Sequence, residues 1–262
     1  MAKNLYALIF SAALAFAILP AAPSWGDARS DLDTAEKSFQ AGDYANTLKL
    51  VRPLAEAGNA EAQRNLGVMY RTGRGVDKDI AAAIDWYRKS ADQGFADAQF
   101  QLGVIYANGE GVEKDLDQAR TWMTKAAAGG MLDAQRYLGE EAITNGDVAG
   151  GIAQLTAVAD KGLVIGMLDL AQALRDRAMK ADVNDKAALA DLAEAYKWIH
   201  VGLAAVASGP GRDNVHRLRR EIENLYTERD PSGAARAFQS AKSAADDKVK
   251  ELRESAAAAA TP

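Results

Sequence analysis

The chain of 262 residues carries 31 lysines and arginines against 36 aspartates and glutamates, for a net charge of -5 and a pI near 5.2. No basic cluster is long enough to neutralise a row of phosphates, which excludes nucleic acid as the expected partner. The absence of cysteine rules out disulfides, a lipid-modified N-terminal cysteine and the usual makings of a zinc site.

Met1 to Gly26 reads as a secretory signal. Lys3 supplies a positive start, Leu5 to Leu19 is an uninterrupted apolar run ended by Pro20, and Ser24-Trp25-Gly26 places small residues at the positions that precede cleavage, with charged Asp27 after them. About 15 apolar residues fall short of the ~20 that span a bilayer. The expectation is cleavage after Gly26, a periplasmic mature protein in a Gram-negative cell, and no membrane span thereafter.

From Ala62 the chain repeats itself with every landmark displaced by 36 positions: Ala62, Leu66, Gly67 and Tyr70 recur as Ala98, Leu102, Gly103 and Tyr106. These offsets keep the four residues on one side of an α-helix, the first of each unit. Gly67 and Gly103 lie inside that helix, where glycine costs about 1 kcal/mol relative to alanine, and so mark a close approach by a neighbour. Gly73-Arg74-Gly75-Val76 and Gly109-Glu110-Gly111-Val112 end the first helix and turn the chain. Asp79 and Asp115 stand where a second helix needs an N-cap, and Gln118 completes the spacing of a capping box with Asp115. The second helix carries Ala83, Trp86 and Tyr87, then Ala119, Trp122 and Met123, whose bulk is expected to fill the space between units. A period of this length means stacked supersecondary units, each burying a face that it could not bury alone.

The pattern A-x-x-x-L-G-x-x-Y-x-x-G-x-G-V-x-x-D, with an aromatic pair and A-A-x-x-G after it, resembles the Sel1-like repeat family, relatives of the tetratricopeptide repeats. The resemblance implies an all-α fold, an α/α superhelical repeat solenoid, and a role as adaptor or regulator through protein contacts.

Weaker copies flank the clear pair. Residues 27–60 read as a degenerate tetratricopeptide-like unit, with Ala35, Phe39, Gly42-Asp43-Tyr44, Leu48 and Leu54 as its landmarks; 61–96 and 97–132 are the two clear repeats. Residues 133–164 form a shortened repeat, with Ala142 in place of tyrosine and Gly146-Asp147-Val148 as a shorter turn. Residues 165–208 form a repeat with a polar insertion around Lys180 to Lys186. Ser208-Gly209-Pro210-Gly211 is the strongest break. In the remainder, 209–262, the stripe Val215, Leu218, Ile222 and Leu225 is expected to cover the end of the array. Asp230-Pro231 predicts the start of a last helix. That helix carries a thin seam of Phe238, Ala241, Ala245, Val249 and Leu252, suited to docking or to pairing with another chain, and a disordered tail is expected from Ser255.

Little in the sequence carries chemistry. Gly73-x-Gly75 and Gly109-x-Gly111 lack the third glycine, the preceding strand and the following lysine of a phosphate loop. His200 and His216 lie on different elements, with no second ligand type at i+3 or i+4. Glu140-Glu141 and Asp246-Asp247 are sequence neighbours and diverge on a helix. No nucleophile signature occurs. The reading is therefore a non-catalytic protein with no cofactor and no metal.

Opposite the buried side of the first helices lie Arg64, Val68 and Arg71, then Phe100, Val104 and Ala107, then Arg136, Glu140 and Ile143. Phe100 and Val104 give this face an apolar centre between arginines, the composition of a protein-binding surface; the competing reading packs Phe100 against a neighbouring first helix. The function expected is an exported adaptor binding a protein or peptide at Arg64, Val68, Arg71, Phe100, Val104, Arg136 and Glu140. Two alternatives stand beside it. One is a cell-wall-related or small-molecule-acting enzyme of the secreted Sel1-like type, whose disulfide-rich members this cysteine-free chain does not match. The other is a scaffold that self-associates through its last helix.

Overall fold

The structure is a computed structural model and describes residues 25–205 and 210–259. The stretch read as a secretory signal therefore lies outside the described residues up to Ser24, and regular structure begins at Trp25. Among the described residues every regular element is an α-helix, twelve in all. The first ten form five hairpins: α1 (Trp25–Gln40) with α2 (Tyr44–Glu56), α3 (Ala60–Thr72) with α4 (Ile80–Asp92), α5 (Ala96–Asn108) with α6 (Leu116–Ala128), α7 (Leu132–Thr144) with α8 (Val148–Asp160), and α9 (Val164–Lys180) with α10 (Lys186–Ala205). Each helix packs on its neighbours in sequence, as in an α/α solenoid.

Local chemistry sets the boundaries. Asp43, Asp79, Asp115 and Asp147 each accept a hydrogen bond from a first-turn amide of the second helix in their hairpin, satisfying donors that have no intrahelical partner. In the two clear repeats the first helix ends on a left-handed glycine, Gly73 at φ 69° and Gly109 at φ 70°. A second glycine two residues on, Gly75 or Gly111, lets the turn lie against the preceding repeat. A side chain at Gly111 would come within 2.5 Å of Ile80.

The internal glycines make room for a side chain from the partner helix. A Cβ on Gly67 would lie 2.7 Å from the Tyr87 ring, and one on Gly103 would lie 2.9 Å from Met123. The residue in this position of the second helix is Val51, Tyr87, Met123 or Leu155, and all four are buried. Three of the four junctions between hairpins also have a polar pin. Gln63, Gln99 and Gln135, at the same place in α3, α5 and α7, donate to the carbonyls of Ala55, Ala91 and Ala127 in the helix before. In α9 that place is taken by Met167, which is fully buried in apolar contacts.

Beyond the fifth hairpin come α11 (Pro210–Arg229) and α12 (Ala234–Ala259), both packed on α10. Val215 and Ile222 are buried, with Leu218 and Leu225 packed beside them, so the predicted stripe does cover the end of the array. Arg229 donates to the carbonyls of Ala178, Ala181 and Asp182, closing the C-terminal end of α9.

Two expectations need correction here. Asp230 does accept the Gly233 amide, the bond an N-cap makes, but regular α-helix starts only at Ala234. The tail expected to be disordered from Ser255 continues α12 as far as Ala259, because a run of alanines has the highest helix propensity of any composition. The thin seam faces α10, with Ala241 and Ala245 buried and Phe238, Val249 and Leu252 packed onto the core formed by α8–α12. Lys248 bridges back to Asp160 at 2.9 Å.

Candidate functional site

The predicted residues lie along the row of first helices, and side chains stitch that row together. Arg64 of α3 reaches Asp97 of α5 through two bonds, Nε to Oδ1 at 2.7 Å and Nη2 to Oδ2 at 2.8 Å. Arg71 donates to Gln101 of α5 at 2.7 Å and to Glu110 in the following turn at 2.6 Å. Arg136 of α7 binds Glu140 on its own helix and Asp169 of α9 at 3.0 Å. All three arginines are about one quarter exposed, and none is an isolated charge. In sequence they form a charged rim; in the fold each is neutralised by a carboxylate on another repeat or the next turn.

The charges respond accordingly. Burial works against the Arg64 guanidinium, but its hydrogen bonds to Asp97 and that carboxylate's charge outweigh the burial and hold its pKa above the ordinary arginine value. The hydrogen bond from Arg71 holds the Glu110 carboxyl below its usual range. Glu140 moves the other way: burial raises its pKa first, and a hydrogen bond to Asp169 adds to it, against the pull of Arg136. Two carboxyl groups share one guanidinium at this point, so the α7–α9 step stays rich in negative charge.

Phe100 and Val104 are half-buried in the central step. They pack against Met123, Ala126 and Ala134, beside Tyr137 and Leu138 of the next hairpin. The contact with the neighbouring first helix, expected as the competing reading, is therefore present, and part of both side chains still reaches solvent. Val68 packs at the edge of the α3–α6 core.

Sequence reading assigned Tyr87 to the scaffold alone. Its ring does fill the space over Gly67, but its hydroxyl lies on the stitched face between Arg64 and Arg71, buried and without a geometric hydrogen-bond partner. Burial pushes this phenol up to about 12, although both arginines pull it down. The signal in the sequence was the one hydroxyl in the series Val51, Tyr87, Met123 and Leu155.

The architecture defines the class, an α/α solenoid of stacked helical hairpins. Residues 60–95 and 96–131 match the Sel1 repeat family model, so the chain carries two Sel1 repeats within the array. Among solved structures it is similar to a protective antigen of uropathogenic Escherichia coli described as displaying an SLR fold. That match has 25% identity and a TM-score of 0.56, and covers 87% of this chain; the chain spans only 56% of the antigen. It is also similar to a Sel1 repeat protein from Oxalobacter formigenes, at 27% identity and a TM-score of 0.55, covering 78% of this chain and 88% of that one. An immunity protein from Pseudomonas aeruginosa matches at 21% identity and a TM-score of 0.46, covering 80% of this chain and 84% of that one. No curated protein matches the chain in sequence. Among the described residues, no helix is long and apolar enough to cross a membrane.

Proposed function

We propose that this protein is an exported, non-catalytic interaction module that receives a protein or peptide on the stitched face of its first helices, centred on Phe100 and Val104. Sel1 repeats are protein-interaction units, which supports the class. The observation that carries the site is the pairing of two half-exposed apolar side chains in the middle of a face whose neighbouring positions are arginine–carboxylate bridges. A partner that covers Phe100 and Val104 meets flanking arginines already paired with carboxylates, so that edge leaves no unpaired cation to strip of water, the costly step in burying a polar surface. The Arg64, Arg71, Arg136 and Glu140 side chains form the edge of the contact, and Val68 extends its apolar part. The N-terminal apolar run supports export to the periplasm.

Self-association through α12 has lost its main support, because the apolar seam of that helix is engaged with α10. The test of the interaction reading is crosslinked capture from the native envelope with the intact protein, with Phe100→Ala/Val104→Ser, and with Ile84→Ala. The last substitution cuts a buried side chain away from the face and controls for lost stability. Capture by the intact protein and by Ile84→Ala, but not by the double variant, supports the reading. Equal loss in both variants overturns it.

A further inference from the structure

The stitched face has a rung missing. Arg64 stands on the fifth residue of α3 and binds Asp97, the second residue of α5. One repeat later the fifth residue of α5 is Phe100 and the second residue of α7 is Asp133, in the same 33-residue relationship with the arginine replaced. Another repeat on, arginine returns as Arg136; because the fourth repeat is shorter, the matching place in α9 is Ile165, and Arg136 binds Asp169 one turn further along. Asp133 is half-exposed, and among the described residues no ion pair forms at it. Arg136 lies close enough to feel its charge, but directs its hydrogen bonds to Glu140 and Asp169.

We infer that the partner supplies the missing cation: a basic side chain, arginine above all, enters between α5 and α7, pairs with Asp133 and lies against the rings of Phe100 and Tyr137. This inference rests on the interaction reading above and names the chemistry of its partner. The charge balance fits. Asp133, Glu140 and Asp169 face a single guanidinium, Arg136, so the step from α5 to α9 is negative while the step before it is neutralised. An aromatic surface beside a carboxylate suits a guanidinium better than an ammonium, since the planar group stacks and donates in a fork at once. The arginine that the array itself uses at the same register, Arg64, shows that the spacing between consecutive first helices accepts this side chain.

The experiment uses the purified full chain and three fluorescein-labelled octapeptides of alternating alanine with arginine, lysine or glutamate, followed by anisotropy at low and physiological salt. The expected result is binding in the order arginine, lysine, glutamate, weakened about fivefold to tenfold by Asp133→Asn. The second variant, Phe100→Arg, rebuilds the rung internally: it is expected to abolish arginine-peptide binding while leaving the melting temperature unchanged or higher. That combination separates an occupied site from a misfolded one. Arginine-peptide binding that is indifferent to both variants, or no preference over the glutamate peptide, overturns the inference. If envelope capture still depends on Phe100 and Val104 under those outcomes, the interaction reading stands and only the basic partner falls.

Discussion

Arg64 and Asp97 join two successive first helices through a forked pair of hydrogen bonds, 2.7 and 2.8 Å long. The fork needs a planar guanidinium, so Arg64→Lys should lose one of the two bonds while keeping the charge. We expect a loss of about 1 kcal/mol in urea unfolding, with Asp97→Asn similar and the double variant no worse than either alone. Fully additive losses would show that the two residues act separately.

Gly67 and Tyr87 give a steric prediction. Gly67→Ala drives a methyl group against a buried ring and should cost about 2 kcal/mol, even though alanine favours the helix. Tyr87→Leu in the same chain should recover part of that loss. Gly103→Ala meets the flexible end of Met123 instead, and thermal melts should show a smaller penalty there.

The Tyr87 phenol is raised to about 12 by burial, so the folded state holds its proton more tightly than the unfolded chain does. The stability this contributes is complete below the ordinary tyrosine value near 10 and is lost as pH rises through about 12. Ultraviolet titration of the folded protein should show a late-ionising tyrosine near pH 12 that Tyr87→Phe removes. Because the hydroxyl lacks a geometric partner, Tyr87→Phe should be neutral or stabilising at pH 7.

Glu140 is also raised, from an ordinary value near 4.5, by burial and by Asp169. Its contribution is present below the unfolded value and is lost as pH climbs through the folded one, so at neutral pH the ionised carboxylate weakens the α7–α9 step. Glu140→Gln should therefore raise stability at pH 7 by a few tenths of a kcal/mol, after allowance for solvent screening, and the gain should vanish below about pH 4. Melting curves of both proteins across that range check the sign.

The scaffold was legible in the sequence because its cues are local. Glycine, aspartate caps and helical periodicity act within a few residues, and 36-residue repetition exposed them twice. The surface was less legible because its chemistry joins residues 30 to 39 apart. Arg64 and Arg71 look like free charges until the stacking distance brings Asp97 and Glu110 to them. The hydroxyl of Tyr87 looks like core filling until the hairpin closes and places it between two arginines. The alanine-rich end of α12 was misread because its composition fits either a loose tail or a helix, and contacts between α12 and α10 lie far from it in sequence.

The last helix also decides when the outer flank of α10 is covered. The hairpins α1 to α8 can stack in chain order, each on the one before. The outer flank of α10, including Tyr196 with its ring 4.6 Å from Phe238, stays wet until α12 is made. The same helix brings Lys248 to Asp160 and Leu252 to Gly162, fastening the one hairpin junction where Met167 replaces the glutamine pin. A chain cut before Ala234 would therefore be an ordered stack with an unfinished, adhesive end, weakest at the seam between the fourth and fifth hairpins.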